Sequence, residues 1–194
     1  MHILAGEFKG RKLLGPPGRS ITRPLTGNVK KSLFDTLAPQ LDEAFVLDLY
    51  CGTGTMGLEA LSRGARRCCF AERDRAVVQR LRRNIEAVSA EDCSVIWAGD
   101  VGRRLRSWLG QLGERADIVF LDPPYADARR WDWTHVERAI FAPLAAALTD
   151  DGLVILRTPD KLEVPQALGG LGVRRSRKYG GMIVTFYGLV TGNQ

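Results

Sequence analysis

The amino-acid sequence predicts an α/β fold in which a mostly parallel, doubly wound sheet carries helices on both faces. From residue 45 onward, strand-like and helix-like segments alternate, which is typical of repeated strand–helix units. The strand-like segments are apolar runs, such as 117–121, rather than alternating patterns, which indicates strands buried on both faces. A length of 194 residues fits one domain with a small extension.

The sequence assigns seven strands and five helices. We expect the strands at residues 45–49, 67–71, 93–97, 117–121, 153–157, 173–179 and 182–188. We expect the helices after Thr26, at 56–63, 74–88 and 101–112, and within 133–148. In the first helix, Val29, Leu33 and Leu37 are expected on the buried face. Gly180-Gly181 predicts that the last two strands form an antiparallel hairpin.

The chain divides into two parts, residues 1–25 and residues 26–194. In the first part, short strand candidates at 2–5 and 11–14 are separated by glycines, which predicts a small β-hairpin. The segment GPPGRS that follows interrupts regular structure. We therefore expect an N-terminal hairpin or arm that precedes the α/β domain.

The charge distribution favours a polyanionic partner. The chain carries 28 basic and 22 acidic side chains, for a net charge of +6. Residues 1–40 hold seven basic side chains against two acidic ones, and a second basic cluster lies at 174–178. Arginine outnumbers lysine, and its planar guanidinium suits bidentate contact with phosphate. A nucleic acid is the favoured partner, although a GC-rich genome would also enrich arginine.

Composition excludes several classes of protein. The longest apolar stretch, 139–148, is shorter than the about 20 residues that a membrane span needs. The N-terminus lacks a charged region followed by an apolar one, so we expect no secretion signal and a cytoplasmic protein. The four cysteines form no CxxC pair and the chain has two histidines, so we expect reduced thiols and no metal site.

A glycine-rich loop follows the first strand. The segment Asp48-Leu-Tyr-Cys-Gly52-Thr-Gly54-Thr-Met-Gly57 contains the spacing GxGxxG, and Glu72 ends the second strand 20 residues after Gly52. Glycines let the backbone approach a ligand closely, and ligands of such folds bind beyond the carboxyl ends of the strands. These features fit a dinucleotide or another ligand that contains adenosine.

Two acidic positions distinguish between these ligands. Asp48 lies four residues before Gly52, where it would repel a pyrophosphate but attract a sulfonium cofactor with an amino-acid tail. The tetrapeptide DPPY (122–125) ends the strand 117–121, and a dehydrogenase has no use for it. Together with Glu72, these acids at consecutive strand ends predict a methyltransferase-like site.

The residue types of the tetrapeptide suit an amino group as the methyl acceptor. Its two prolines stiffen the loop. The Asp122 carboxylate and the Pro123 carbonyl can accept both protons of one exocyclic amine, which would hold that nitrogen beside a methyl donor. Tyr125 offers a ring on which a flipped base can stack. Such a transfer needs neither a nucleophilic side chain nor a metal.

Asp100, which follows the third strand, has two interpretations. It fits an acceptor for the amino group of an adenine ring. It also fits the N-cap of the predicted helix 101–112.

Five segments carry a family resemblance. They are GEFKGRKL (6–13), TRP (22–24), VKKSLFDTL (29–37), VLDLYCGTGTMGLEALSRGA (46–65) and DPPY (122–125). With these segments the chain resembles the RsmD family, bacterial methyltransferases that modify the exocyclic N2 of a guanine in 16S ribosomal RNA. SRGA and TRP are more specific to this family than the general methyltransferase motifs. The sequence departs from the family pattern at residues 25–28 and 30–32.

The resemblance implies a class I, Rossmann-like methyltransferase with a mostly parallel seven-stranded sheet and S-adenosylmethionine as its cofactor. The implied cofactor-binding residues are Asp48, Tyr50, Gly52, Gly54, Glu72 and Asp100. The implied catalytic residues, without any metal ligand, are Asp122, Pro123 and Tyr125. The implied RNA-binding residues are Arg11, Lys12, Arg23, Lys30 and Lys31.

The implied substrate is a guanine N2 of 16S ribosomal RNA, within the small ribosomal subunit or its assembly intermediate. The N-terminal arm is expected to contact this RNA and to help cover the cofactor. We expect the protein to act as a monomer, without a membrane partner.

Other functions stay open at the level of sequence. DPPY positions an amino group without identifying the base, so an adenine-N6 methyltransferase acting on DNA or RNA is one alternative. A non-catalytic RNA-binding assembly factor on a methyltransferase scaffold is another, although the intact Asp48, Glu72 and Asp122 argue against it. An NAD-dependent dehydrogenase ranks third because of the acid at position 48.

Overall fold

The structure is a computed structural model that describes residues 1–17 and 26–190, and one sheet forms the centre of this part of the chain. Its eight strands are β1 Phe45–Leu49, β2 Arg67–Glu72, β3 Ser94–Ala98, β4 Ala116–Leu121, β5 Leu148–Pro159, β6 Ala167–Leu168, β7 Leu171–Tyr179 and β8 Met182–Leu189. They lie in the order β3-β2-β1-β4-β5-β8-β7-β6.

The first five strands are parallel to one another. The pairs β5–β8, β8–β7 and β7–β6 are antiparallel. The turn at Gly180-Gly181 joins β7 to β8, which confirms the predicted C-terminal hairpin. The carboxyl ends of the parallel strands meet at one edge of the sheet, which we call the carboxyl edge, and this edge is where ligands bind in open α/β sheets.

One helix precedes β1, and the others connect the parallel strands. The helices are α1 Gly27–Leu37, α2 Thr55–Ser62, α3 Arg75–Ala87, α4 Val101–Leu109, α5 Tyr125–Ala128, α6 Trp133–Val136 and α7 Ala142–Ala147. A 3₁₀ turn, Ala38–Gln40, extends α1, and a π-helical segment, Glu137–Phe141, joins α6 to α7. The helix predicted within 133–148 is therefore one helical run that contains a π segment, whereas the short α5 was not predicted.

Helices cover both faces of the sheet, as the apolar strand runs predict. On one face, residues of α1, α2 and α3 pack with strand residues such as Val46 and Phe120. On the other face, residues of α4, α6 and α7 pack with Leu47 and Val119. Successive residues of one strand therefore serve two separate cores, which is the reason that the strands do not alternate between apolar and polar residues.

The sheet has one strand more than the seven predicted. The extra strand, β6, has two residues and turns into β7 through Gly169 and Gly170, which both have positive φ. So short a segment carries no periodicity that a sequence reading could detect. β5 also begins at Leu148, five residues before its predicted start, and its pairing with β4 shifts register between Ala116 and Ile118.

The N-terminal segments 2–5 and 11–14 pair as predicted, but over a shorter length. One antiparallel bridge joins His2 to Lys12, and the Ile3 amide donates to the Arg11 carbonyl at 3.1 Å. Ile3 and Leu13 are buried in the same core as α1 and α2. The boundary predicted after residue 25 lies outside the described residues and stays a prediction.

Candidate functional site

A cavity of about 360 Å³ opens at the carboxyl edge of the sheet. Its strand-side wall consists of residues that end or follow strands: Tyr50, Cys51, Gly52, Thr53, Glu72, Arg73, Asp122, Pro124 and Arg157. Helix residues Thr55, Met56 and Val77 adjoin this wall. The opposite side comes from the N-terminal segment and α1: Met1, His2, Leu4, Pro16, Gly27 and Lys30. The volume falls in the range of small-molecule sites.

The glycine-rich loop shapes this cavity through two different properties of glycine. Gly52 has φ +56° and lines the cavity, and a Cβ atom there would have no neighbour within 4 Å. Gly54 has φ +83°, and a Cβ atom there would lie 2.4 Å from Cδ1 of Leu81. A Cβ atom on Gly57 would lie 2.3 Å from the Phe70 ring. Gly52 therefore leaves room for a ligand, whereas the other two glycines allow α2 to pack closely.

Asp48 lies beneath the loop rather than in the cavity wall. Its side chain is buried, and its Oδ2 accepts a hydrogen bond from the Gly57 amide at 2.8 Å. Burial raises the pKa of Asp48 to about 7, and the negative charges of Asp122 and Glu72 add to this rise, while the Gly57 amide opposes it. Asp48 therefore fixes the first turn of α2, and its pKa responds to the charges of Asp122 and Glu72 in the cavity wall.

Glu72 lines the cavity with its carboxylate already hydrogen-bonded to backbone. Its Oε2 accepts from the Gly52 amide at 3.1 Å, and its Oε1 accepts from the amides of Arg73 and Asp74 at 2.7 and 2.8 Å. A carboxylate has about four acceptor positions, so one remains for a ligand. A ligand that donates two hydroxyl groups to Glu72 would need a second acceptor position, which is the one that the Gly52 amide now occupies.

Asp100 caps a helix, as one of its two interpretations predicts. Its Oδ1 accepts from the Arg103 amide at 3.1 Å at the start of α4. Its Oδ2 lies 3.5 Å from the Arg73 guanidinium, which also pairs with Asp127 at 3.1 Å. The cavity lining does not include Asp100. Contact of Asp100 with an adenine ring stays a prediction.

Asp122 has a partner that the sequence analysis missed. Nε of Arg157, in β5, donates to Oδ1 of Asp122 at 2.6 Å, and both side chains line the cavity. Burial raises the pKa of Asp122, and the positive charge and hydrogen bond of Arg157 oppose that rise. A guanidinium beside a buried carboxylate offsets much of the cost of removing its charge from water. The acid of the DPPY loop is thus held in place by the next strand.

Tyr125 and the prolines take up defined positions after Asp122. Pro124 lines the cavity and precedes the first turn of α5, which begins at Tyr125. The Cζ of Arg157 lies 5.5 Å from the centroid of the Tyr125 ring, and the Tyr125 hydroxyl is buried without a hydrogen-bond partner among the described residues. Pro123 is buried. Base stacking on Tyr125 and acceptance by the Pro123 carbonyl stay predictions.

The N-terminal segment is fastened over the cavity by Glu59, which lies in α2. The fully buried Glu59 carboxylate accepts from the amides of Leu4 and Ala5 at 2.9 and 3.1 Å. It also pairs with Lys30 at 2.7 Å and with Arg63 at 2.9 Å. Burial would raise the pKa of Glu59, but these hydrogen bonds and charges lower it below its usual value. One buried acid therefore joins the N-terminal segment, α1 and α2.

Ser62 adds a second attachment, which gives the SRGA segment a physical role. Its Oγ accepts from the Phe8 amide at 2.9 Å and donates to the Ala5 carbonyl at 2.6 Å. A Cβ atom on Gly6 would lie 1.6 Å from the Ser62 carbonyl oxygen. Glycine at position 6 thus allows the chain to pass directly over the end of α2.

The basic residues predicted to bind RNA separate into different environments. Lys30 is buried, pairs with Glu59 and donates to the His2 carbonyl at 3.1 Å. Its charge is already compensated inside the protein, so its position gives no support to a contact with RNA, and that contact stays a prediction. Arg11, Lys12 and Lys31 are exposed, as their predicted role requires. Arg23 lies outside the described residues.

Across residues 1–17 and 26–190, no group of three or more His, Cys, Asp or Glu side chains is arranged to hold a metal ion. The four cysteines are free thiols. Among the helices of the same two segments, none has both the length and the apolar character needed to cross a membrane.

Known proteins are similar to this chain in sequence and in fold. Residues 1–188 match the family described as Conserved hypothetical protein 95. Putative rRNA methyltransferase YlbH of Bacillus subtilis (strain 168) is 32% identical over 190 residues, which cover 96% of this chain and 98% of YlbH. Ribosomal RNA small subunit methyltransferase D of Escherichia coli (strain K12) is 40% identical over 125 residues, which cover 64% of this chain and 60% of that protein.

A solved structure gives the same result. The structure described as putative methyltransferase yhhF from Escherichia coli has a TM-score of 0.79 and 31% sequence identity, with 97% of each chain covered. The sheet order, and the cavity at its carboxyl edge with Glu72 and Asp122 in its wall, thus define a class I methyltransferase. Within that class, the chain belongs to the Conserved hypothetical protein 95 family, which is the RsmD family that its motifs resemble.

The raised pKa of Asp48 predicts a pH-dependent stability of the free protein. Because the folded-state pKa of about 7 exceeds the usual 3.8, the stabilisation is full below pH 3.8 and is lost as the pH rises through 7. Asp48→Asn stays neutral at every pH. The free energy of unfolding of this variant, relative to that of the wild type, should therefore increase by about 2 to 3 kcal/mol from about pH 5 to pH 8.

Urea denaturation at the two pH values measures this difference. Asp42→Asn, which changes an exposed carboxylate just before β1, is the matched control and should show the same difference from wild type at both. A pH-independent difference for Asp48→Asn would mean that Asp48 is ionised in the folded protein at no cost.

Proposed function

We propose that this protein transfers a methyl group from S-adenosylmethionine to the exocyclic N2 of a guanine in 16S ribosomal RNA. The observation that carries the proposal is the position of Asp122, whose carboxylate is fixed by Arg157 in the wall of the cavity that Gly52 and Glu72 also line. The membership of the RsmD family and the names of the bacterial relatives support an RNA substrate.

The cavity residues fit S-adenosylmethionine. Gly52 leaves open space where a ligand can approach the backbone, and Glu72 keeps one acceptor position for a ribose hydroxyl. Lys30, Arg73 and Arg157 in the lining are each paired with a carboxylate, so Glu72 in the wall and Asp48 beneath it suit a ligand that carries a sulfonium and an ammonium group. When bound, this cofactor supplies an electrophilic methyl group. Tyr50, Gly54 and Asp100 complete the proposed cofactor site.

The protein's own part in the reaction is to hold the amine. In the proposed arrangement, Asp122 and the Pro123 carbonyl accept the two N–H protons of the guanine N2, which orients its lone pair toward the cofactor side of the cavity. Preorganised acceptors of this kind lower a barrier because they need no rearrangement during the reaction. Arg157 acts as a positioning residue, because it fixes the Asp122 carboxylate and opposes the rise in its pKa that burial causes. Tyr125 would stack on the base.

The small ribosomal subunit, or an intermediate in its assembly, is the proposed form of the substrate. This part of the proposal is supported by the name of the Escherichia coli relative, which specifies the RNA of the small subunit. The exposed Arg11 and Lys12 at the N-terminal segment, together with Lys31, are proposed to contact the RNA.

Substitution of Asp122 and Arg157 separates holding the amine from keeping the carboxylate ionised. Asp122→Asn should lower kcat by about 10²-fold or more at every pH, because the amide presents a donor where the amine needs an acceptor. Arg157→Met removes the cation that opposes the raised pKa of Asp122. Its kcat should therefore fall most in acid and recover partly as the pH rises, with the acid limb displaced upward.

The measurement is kcat between about pH 6 and pH 9, with melting curves for each variant. The groups that face Asp122 are Asp48 from β1, Arg157 from β5 and Tyr125 from α5. Asp48 and Tyr125 are the same in every variant, so a displaced profile of Arg157→Met reports the loss of the Arg157 charge. Arg115→Met, at an exposed arginine paired with Asp150, is the control and should keep the wild-type profile. A uniform loss of kcat in Arg157→Met would assign Arg157 a purely structural role.

The identity of the methylated base tests the proposed function itself. Small subunits that lack the modification would be incubated with the protein and isotopically labelled S-adenosylmethionine, and their nucleosides separated by mass spectrometry. We expect labelled N2-methylguanosine, and none with Asp122→Asn. Labelled N6-methyladenosine would mean that the methylated base is adenine and not guanine. Cofactor binding without any labelled nucleoside would favour a non-catalytic assembly factor.

A further inference from the structure

A second, open groove lies between α1 and β7. Its volume is about 670 Å³, and the residues that give it its charge are Lys31 and Asp35 on α1 and Arg175 and Arg177 on β7. The sequence shows these cations as two unrelated basic clusters about 145 residues apart. The fold brings them together on one surface.

Strand topology places this groove beside the cavity. β8 is antiparallel to β5, so Met182 pairs with Pro159 near the carboxyl edge. β7 is antiparallel to β8, so its last residue, Tyr179, pairs with Met182 at the same edge. The basic end of β7 therefore lies on the side of the sheet from which the cavity opens.

Helix α1 forms a wall of both the groove and the cavity. Gly27 and Lys30 line the cavity, whereas Asn28 and Lys31, each one residue further along, line the groove. Adjacent residues of a helix point about 100° apart, so the two openings occupy neighbouring faces of α1. A chain that crosses α1 could thus enter both.

The groove is fixed by polar contacts and keeps an excess of positive charge. The hydroxyl groups of Ser32 and Tyr179 are hydrogen-bonded at 3.0 Å, and Arg177 donates to Oγ1 of Thr36 at 3.3 Å. Lys31 pairs with Asp35 at 2.7 Å, and this exposed pair is weak. Three cations thus face one carboxylate.

We propose that this groove binds the phosphate backbone of the RNA next to the nucleotide that enters the cavity. Arginine and lysine side chains on a fixed, open surface suit phosphates, and they contact them without regard to sequence. The groove would set the direction in which the RNA crosses the site. The inference rests on the proposed function, because it takes the RNA substrate from it.

The salt dependence of RNA binding tests the groove. The affinity of unmethylated 16S ribosomal RNA for the protein would be measured over a range of salt concentrations. The double variant Lys31→Gln/Arg175→Gln should bind more weakly, and the slope of log K against log salt should decrease by about 1.5 to 2, as expected for two lost phosphate contacts. Neither residue belongs to the proposed cofactor or amine site.

Arg82→Gln/Arg83→Gln is the matched control. It removes the same charge from two exposed positions on α3, which packs against β2 and β3 at the other end of the sheet. This control should keep the wild-type slope. Melting curves, and calorimetry with S-adenosylmethionine, should show that both double variants are folded and bind the cofactor as the wild type does.

Three outcomes would overturn the proposal. If the groove variant keeps the wild-type slope while the wild type binds and methylates RNA, the RNA follows another surface and the proposed function stands. If the groove variant binds naked RNA normally but loses binding to the assembled subunit, the groove contacts an acidic protein. If the wild type binds neither the free RNA nor the small subunit, both the groove and the proposed substrate fail.

Discussion

The concentration of carboxylates at adjacent ends of parallel strands is the constraint on which the site depends. β1, β2 and β4 are neighbours in the sheet, and each carries an acid at or beside its carboxyl end: Asp48, Glu72 and Asp122. Burial makes the charges of Asp48 and Asp122 costly, and the neighbouring negative charges raise the pKa of Asp48 further. The protein compensates each acid differently.

Asp48 receives a single backbone amide, and its pKa rises to about 7. Glu72 receives three amides and keeps one acceptor position toward the cavity. Asp122 receives the Arg157 guanidinium from the next strand. The least compensated acid lies beneath the glycine loop, so a cation bound above that loop would relieve it. Asp122, which the guanidinium holds in place, is the acid that we propose orients the amine.

Glu59 provides a fourth carboxylate with a structural function. It bonds to amides of the N-terminal segment, to Lys30 and to Arg63, so it connects the far side of the cavity to α2. The N-terminal segment is therefore part of the cavity enclosure, and Ile3 and Leu13 tie it to the core. SRGA, whose serine and arginine take part in this attachment, is explained by docking of the N-terminal segment rather than by contact with a ligand.

Much of the fold was predictable because apolar runs and glycine turns report local structure. The acids at the carboxyl edge were predictable for a related reason, since parallel strands must end at the same edge. Arg157 is the last residue of the predicted strand 153–157, so it too was expected at the carboxyl edge. A charged residue in the apolar run LVILRTP was a detectable signal of a residue with a special role. Its pairing with Asp122 was not predictable, because the order of β4 and β5 in the sheet is a property of the tertiary structure.

Lys30 shows how a sequence pattern can mislead. Lys30-Lys31 reads as one basic patch, and Val29, Leu33 and Leu37 were expected on the buried face. The structure buries Lys30 with Leu33, Phe34 and Leu37, which also have helical spacing, and leaves Lys31 exposed. Phe34 is a local signal for the observed face, whereas the ion pair of Lys30 with Glu59 of α2 depends on the tertiary structure.

The number of protons released when the cofactor binds is the most direct test of the central claim. That claim is that buried carboxylates make this cavity a site for a cation. With a pKa raised to about 7, Asp48 is protonated in part of the molecules at pH 7. A positive ligand lowers that pKa, so binding of S-adenosylmethionine at pH 7 should release a fraction of a proton, and Asp48→Asn should release less. Calorimetry in two buffers of different ionisation enthalpy measures this release. Binding of S-adenosylmethionine to the wild type without any release of protons would contradict the account.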